Sequence, residues 1–422
     1  MRKPRVFTAA LLSLVVLLSA CSSTAPRAAN DSAAAKRDLD TWLAAQVGPQ
    51  RIPGIVAMAV DARGILYLNA FGQQDVAANR PMRPDSIFRI ASMTKPVTAV
   101  AAVMLIEEGR LALDDPVSKY LPEFATRPVM ASFNPADGSY TTRPPASPMT
   151  VRQLFTHTAG LGYPFSNTVL ATLSRGSNAA PADYPLLHDP GTRWTYGEST
   201  RVLGRVVEKV SGEALDGFLR TRLFVPLGMA DTSFTTPAEH VARVATIHRK
   251  VDGRLVESPN TPNAQGAIAS PVQGDGGLNS TAADYAKFIQ LFLNKGVAPD
   301  GRRLLSARSV ELIGQNHTGR VRVERQPAAL PALSEAFPLG AGRDTFGLGV
   351  QVTGRPGDPG MRLPGSLSWA GIFNTEFWID PRAGIGGILL MQYLPFYDAA
   401  AIGTLQGFEL RVYRDFRPRA GR

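Results

Sequence analysis

An α+β fold is predicted for this chain: one antiparallel sheet built from both chain ends and flanked by helices, with a mostly helical subdomain inserted between them. Three observations carry the prediction. A helix and a two-strand pattern stand near the amino terminus. Four short apolar or alternating runs and a closing helix fill the last quarter. The residues between, roughly 110–340, show helical periods broken by long irregular stretches. The simplest closed arrangement pairs the terminal strands and folds the middle over them. No internal repeat is present.

With 422 residues the chain can bury a large core. Its 44% hydrophobic and 19% charged residues are ordinary for a globular protein and exclude disorder as the main theme. The net charge of +10 falls to +7 once the three leader cations Arg2, Lys3 and Arg5 are set aside. That charge is spread thinly, with no dense basic block interleaved with aromatics, so nucleic acid is not an expected partner. An anionic envelope or polymer suits it equally well.

The amino terminus has a basic start, an apolar run from Ala9 to Leu18, then small residues, which is the pattern of a secretory signal over residues 1–20. The apolar run is too short for a comfortable membrane span. Its end, Leu18-Ser19-Ala20-Cys21, resembles the lipobox of bacterial lipoproteins, in which cleavage leaves a lipid-bearing cysteine first. Cys21 is the only cysteine, so no internal disulfide is available to an exported chain, and an anchor explains it better than a staple or a metal ligand. A plain signal peptide with an incidental cysteine is the alternative. Residues 21–32 are small and polar and read as a tether, with the folded domain at 33–422. The expected location is therefore the bacterial cell envelope, exported and lipid-anchored to a membrane through Cys21, on the periplasmic side.

Leu39, Trp42, Leu43 and Val47 predict a first helix. Ile55 to Val60 and Ile65 to Phe71 predict two strands joined by the turn Asp61-Ala62-Arg63-Gly64. Val97, Val100, Ala101, Met104 and Leu105 then recur at the spacing of a core-facing helix that stops at Gly109. Glu123 to Met149 is rich in Pro, Ser, Thr, Gly and Asn and reads as an excursion loop. Helices are predicted from about Thr200 to Val210, from Phe218 to Val225, and through Tyr285, Phe288, Ile289 and Phe292. Asn316 to Arg343 has no sustained period and holds Pro327, Pro331 and Pro338; the wall or lid of a cleft is its most economical use. Phe346 to Val352, Leu367 to Trp369, Asn374 to Ile379 and Ile385 to Gln392 read as strands, and Ala399 to Val412 as the closing helix.

Chemistry is suggested by Ser92-Met93-Thr94-Lys95. Pro96 calls for a helix start within about a turn of Ser92, or a kink there; a start puts the serine at the positive end of a helix dipole, with Lys95 one turn on and within reach of its oxygen. Such a pair makes a nucleophile without histidine. By itself the pattern also fits a capping serine and a solvated lysine. The five histidines, His157, His188, His240, His248 and His317, show no close ligand spacing, so no metal is expected. No dinucleotide or phosphate loop occurs, and no cofactor is expected. Gly197-Glu198-Ser199-Thr200-Arg201 approaches the nucleophile-elbow pattern but lacks its second glycine. His157, in Leu154-Phe155-Thr156-His157-Thr158-Ala159-Gly160-Leu161, reads as a histidine hydrogen-bonded inside a turn.

Read together, these stretches resemble the serine beta-lactamase and penicillin-binding-protein superfamily, nearest its class C beta-lactamase-related esterase branch, from about Ile55 to the closing helix. The resemblance implies the beta-lactamase/transpeptidase-like fold. It makes Ser92 the acylated nucleophile and Lys95 its proton partner. Tyr196-Gly197-Glu198 is similar to the Tyr-x-Asn motif, which makes Tyr196 the proton relay and leaves out the asparagine that contacts a lactam side chain; Glu198 is then a helix-start carboxylate. Trp369-Ala370-Gly371 resembles the esterase variant of Lys-Thr-Gly, with Ile372 and Ser92 giving backbone N–H groups to an oxyanion hole. His317-Thr318-Gly319 is a rival by letters alone. Trp369 in place of lysine removes a cation that would hold the carboxylate of a lactam or a peptidoglycan stem.

The expected function is that of a serine hydrolase, a carboxylesterase acting on small or medium acyl esters through an acyl-enzyme. A D,D-peptidase or weak beta-lactamase of the envelope is the enzymatic alternative, and a non-catalytic penicillin-binding-like module the alternative from another class.

Overall fold

The computed structural model describes residues 25–175, 177, 179, 183–354 and 361–417; the leader at 1–20 and Cys21 lie outside them. Within these residues the two ends of the chain meet in one sheet. The amino-terminal part supplies β1 (Gly54–Asp61), β2 (Ile65–Asp75) and the short β3 (Arg80–Pro81). The last quarter supplies β4 (Thr345–Phe346), β5 (Gln351–Val352), β6 (Leu367–Gly371), β7 (Thr375–Asp380) and β8 (Ile385–Leu390). The order is β4-β5-β6-β7-β8-β1-β2-β3 with every pairing antiparallel. The seam runs between β1 and β8, from Val56 opposite Leu390 to Asp61 opposite Ile385. This is the α+β arrangement the sequence predicts.

The main helices are α1 (Ala25–Ala44), α2 (Thr94–Glu107), α3 (Ser199–Ser211), α4 (Ala282–Leu293) and α5 (Ala399–Asp415). Successive side chains of a strand point to opposite faces, and β1 uses both. Ile55, Ala57 and Ala59 pack with Leu39 and Leu43 of α1 and with Leu405, Phe408 and Val412 of α5. Val56, Met58 and Val60 enter the larger core on the other face with residues of α2, α3 and α4. Two covered faces explain why Ile55 to Val60 is an unbroken apolar run. Helix α2 differs from the one-sided helix its period suggests, being buried from Thr94 through Leu105. Helix α3 and the helix Ala307–Gly314 pack on its flanks, and an all-round apolar helix is the kind that survives there.

Several local readings change. The first helix begins at Ala25, inside the predicted tether. Glu123 to Met149 holds a hairpin, Val129–Phe133 with Tyr140–Arg143, because its polar composition suits strands that face solvent. Phe346 to Val352 is the hairpin of β4 and β5 rather than one strand. Gly349 makes the turn at φ +82°, and a Cβ there would stand 2.4 Å from the Ala99 Cβ of α2. The short helix Ala307–Gly314 is absent from the sequence reading; Ser306 caps it by accepting from the Ser309 N–H at 3.1 Å. The predicted helix at Phe218 to Val225 is longer, helical throughout from Leu215 to Leu227 with a wide turn at its centre. Asn316 to Arg343 is irregular, as expected, and no helix of the described residues is long and apolar enough to cross a membrane.

Candidate active site

Ser92 lies in a short 3-10 turn, Ala91–Met93, that leads directly into α2. Ala91 takes φ +45°, a left-handed conformation that costs energy without glycine and persists only where the surroundings impose it. Those surroundings are identifiable. The Ile90 N–H donates to the Leu278 carbonyl at 3.0 Å, the Tyr285 hydroxyl of α4 donates to the Met93 carbonyl at 3.0 Å, and Thr375 Oγ1 of β7 donates to the Ile90 carbonyl at 3.2 Å. Gly371 passes so close that a Cβ would lie 2.3 Å from the Ile90 oxygen, which explains a glycine at the end of β6. The turn bearing Ser92 is thus pinned between the sheet and α4.

Lys95 is fully buried one helical turn on, and its Nζ donates to Ser92 Oγ at 3.1 Å. Its other two hydrogens are directed to the Tyr163 hydroxyl at 3.1 Å and the Asp275 carbonyl at 2.7 Å. Tyr163 donates in turn to Asp275 Oδ2, and Arg201 Nε donates to Asp275 Oδ1 at 3.1 Å. Burial, reinforced by the Asp275 charge, pushes the Tyr163 phenol well above its ordinary range, so it stays a donor to that carboxylate. Arg201 also pairs with Glu198. Glu198 stands at the start of α3 as expected, but its carboxylate engages Arg201 instead of capping backbone amides.

Tyr196 presents its ring to the Lys95 ammonium, 4.9 Å from the centroid, and its hydroxyl makes no hydrogen bond among the described residues. The ring touches Trp369, His157 and Tyr163 at centroid distances of 5.1, 5.0 and 5.2 Å. His157 sits within this cluster, also against Phe346 and Trp194, and neither ring nitrogen has a hydrogen-bond partner among the described residues. That corrects the hydrogen-bonded histidine expected from sequence. Burial, with the nearby Lys95 charge, holds its pKa well below the usual histidine range, so it is a neutral packing element.

Ser92, Tyr196, Trp369 and Ile372 line one cavity of about 220 Å³, walled by Phe165, Phe337 and Phe396. The predicted Ser92, Lys95, Tyr196, Trp369, Gly371 and Ile372 therefore converge on one place, whereas His317 is held elsewhere by Arg152 and the Leu312 carbonyl. Cys21 lies outside the described residues. Tyr163, Asp275 and Arg201 are the polar members that sequence reasoning missed. The only signals were of position: Tyr163 follows the Leu154 to Leu161 stretch and Arg201 closes the stretch Gly197 to Arg201, while Asp275 carried none.

The chain matches the family model described as Beta-lactamase over residues 39–407. It is 31% identical over 411 residues to lovastatin esterase of Penicillium rubens, an alignment covering 90% of this chain and 98% of that one. To esterase EstB of Burkholderia gladioli it is 30% identical, covering 85% and 91%. A solved mutant of simvastatin synthase (LovD) from Aspergillus terreus superposes with a TM-score of 0.74 at 29% identity, covering 91% of this chain and 94% of that one. With a match across nearly the whole chain, a shared fold and relatives that are esterases and acyltransferases, this protein belongs to the beta-lactamase family and is a serine hydrolase.

Proposed function

We propose that the enzyme is a carboxylesterase for small or medium acyl esters that works through an acyl-enzyme on Ser92. The observation that carries this reading is the Lys95 Nζ, 3.1 Å from Ser92 Oγ, with its other hydrogens committed to Tyr163 and Asp275. Ser92 Oγ attacks the ester carbonyl as its proton passes to Lys95 acting as the neutral amine, which thereby becomes the ammonium whose three hydrogens reach Ser92 Oγ, Tyr163 and Asp275. The backbone N–H groups of Ser92 and Ile372 take the charge that develops on the carbonyl oxygen. The C–O bond to the alcohol breaks, and the leaving oxygen receives the proton through Lys95 and the unengaged Tyr196 hydroxyl. Water then attacks the acyl-enzyme with the same groups as base, releasing the acid and restoring Ser92.

Trp369 and the phenylalanine walls favour an apolar acyl chain, and Trp369 stands where a lactam-binding lysine is absent. Transfer of the acyl group to an alcohol instead of water is the second reading, favoured by a relative, monacolin J acid methylbutanoyltransferase of Aspergillus terreus, 30% identical over 405 residues. A panel of p-nitrophenyl esters, D-Ala peptides and cephalosporins separates these from the peptidase and lactamase readings. Turnover of p-nitrophenyl butyrate that is lost in Ser92→Ala is expected; turnover that survives that change sinks the proposal. We further propose, from the sequence of the first 21 residues, that the enzyme is held at the cell envelope by lipid on Cys21. Mass spectrometry of the mature terminus tests this, and an unmodified chain beginning elsewhere overturns it.

A further inference from the structure

The cavity extends beyond Ser92. β5 pairs with β6 only at Leu367 and Ser368, so the edge of β6 at Trp369 to Gly371 is left free of that neighbour. Past Phe396 and Tyr397 the same cavity reaches Glu376, Arg362 and, on α5, Glu409. Glu376 lies opposite Ala370 in the sheet and two residues from Trp378, hence on the face covered by α5.

Glu376 is only 6% exposed, and its Oε1 has no hydrogen-bond partner among the described residues. The nearby cation is already committed. Arg362 is engaged by Glu409, Nε to Oε1 at 3.0 Å and Nη2 to Oε2 at 2.6 Å. The Tyr397 hydroxyl accepts from the Leu339 N–H at 3.1 Å. A buried carboxyl oxygen left without a partner costs stability.

We propose that Glu376 anchors a second, polar subsite of the ester pocket, where its carboxyl holds a hydroxyl group that the substrate carries several bonds from the scissile carbonyl. The proposal rests on reading the cavity as an ester pocket. Three chemistries were open to such a group. A carboxylate ligand meets three carboxyls, Glu376, Glu409 and Asp344, against two arginines along the same lining, Arg343 and Arg362, the second of them already engaged by Glu409. An ammonium needs an ionised partner, yet burial pushes the Glu376 acid up to about 8, and Arg362 counteracts this only in part. A protonated carboxyl both donates and accepts, and a hydroxyl needs both.

The test uses Ser92→Ala, which cannot be acylated, titrated calorimetrically with two matched pairs. Methyl hexanoate and methyl ω-hydroxyhexanoate place the hydroxyl on the acid; hexyl acetate and ω-hydroxyhexyl acetate place it on the alcohol. In one pair the hydroxylated ester is expected to bind about tenfold more tightly than its twin. That preference should vanish in Ser92→Ala/Glu376→Leu and persist in Ser92→Ala/Glu376→Gln. Should the leucine variant fail to fold, the infrared band of the protonated carboxyl, absent in Glu376→Gln, must shift on binding the hydroxylated ester and not its twin. Equal binding within both pairs, a preference that survives Glu376→Leu, or an unmoved band overturns the subsite. Wild-type turnover of p-nitrophenyl butyrate reports separately on the esterase reading: turnover without preference removes the subsite alone, and preference without turnover removes the esterase alone.

Discussion

Lys95, bonded to the cavity residue Ser92, and Glu376, in the lining of the same cavity, are both buried ionisable side chains, and the fold treats them in opposite ways. Lys95 has an acceptor for each of its three hydrogens, and the acceptors are themselves held, Tyr163 by Asp275 and Asp275 by Arg201. Glu376 has an oxygen with no partner among the described residues, beside an arginine that Glu409 occupies. A satisfied network fixes one geometry, which a proton-transfer group needs. An unsatisfied group keeps its capacity for something that arrives. The difference separates a region built to stay still from one with a bond to give.

The largest effect should come from emptying the first region. Ser92→Ala is expected to cut kcat/KM for p-nitrophenyl butyrate by about 10⁴-fold or more while thermal unfolding stays close to wild type. Lys95→Met should cost about 10³-fold in kcat, since it removes the proton partner. Tyr163→Phe deletes one bond from Lys95 and one to Asp275, so kcat should fall about tenfold with KM little changed, the mark of a positioning residue. The contrast with Tyr196→Phe sharpens the point. A larger loss for Tyr196→Phe assigns the relay to the unengaged hydroxyl; a larger loss for Tyr163→Phe moves it to the bonded one.

The smallest effect concerns stability at Glu376. Burial raises its pKa from the ordinary 4.5 to about 8, so between those values the folded chain keeps a proton that the unfolded chain has released. Its contribution to stability is therefore whole below about 4.5, declines as pH rises, and is lost above about 8. Glu376→Gln removes the decline. The variant should gain a few °C in Tm over wild type at pH 8.5 compared with pH 5, read by calorimetry. An equal difference at both pH values breaks the contrast with Lys95.

The legible part of the site was the local part. Ser92 and Lys95 are three residues apart on one helix, so the helical period alone places them together. Tyr196, Trp369 and Gly371 were legible as motifs in order, and the β1–β2 hairpin and terminal strands through their patterns. Tyr163 and Asp275 were not, standing 68 and 180 positions from Lys95 in segments without period. Glu376 was one polar letter inside a predicted strand, with nothing to mark which face it would take.

The sequence by itself determined the terminal strands, the buried helix after Ser92 and the serine–lysine pair, because each follows from spacing within a few residues. Only the tertiary structure decided which phenol and which carboxylate surround Lys95, and that among the described residues the His157 ring nitrogens and one Glu376 oxygen find no hydrogen-bond partner. Those outcomes depend on loops from distant parts of the chain meeting across the sheet edge, and such meetings are governed by packing rather than by any local period.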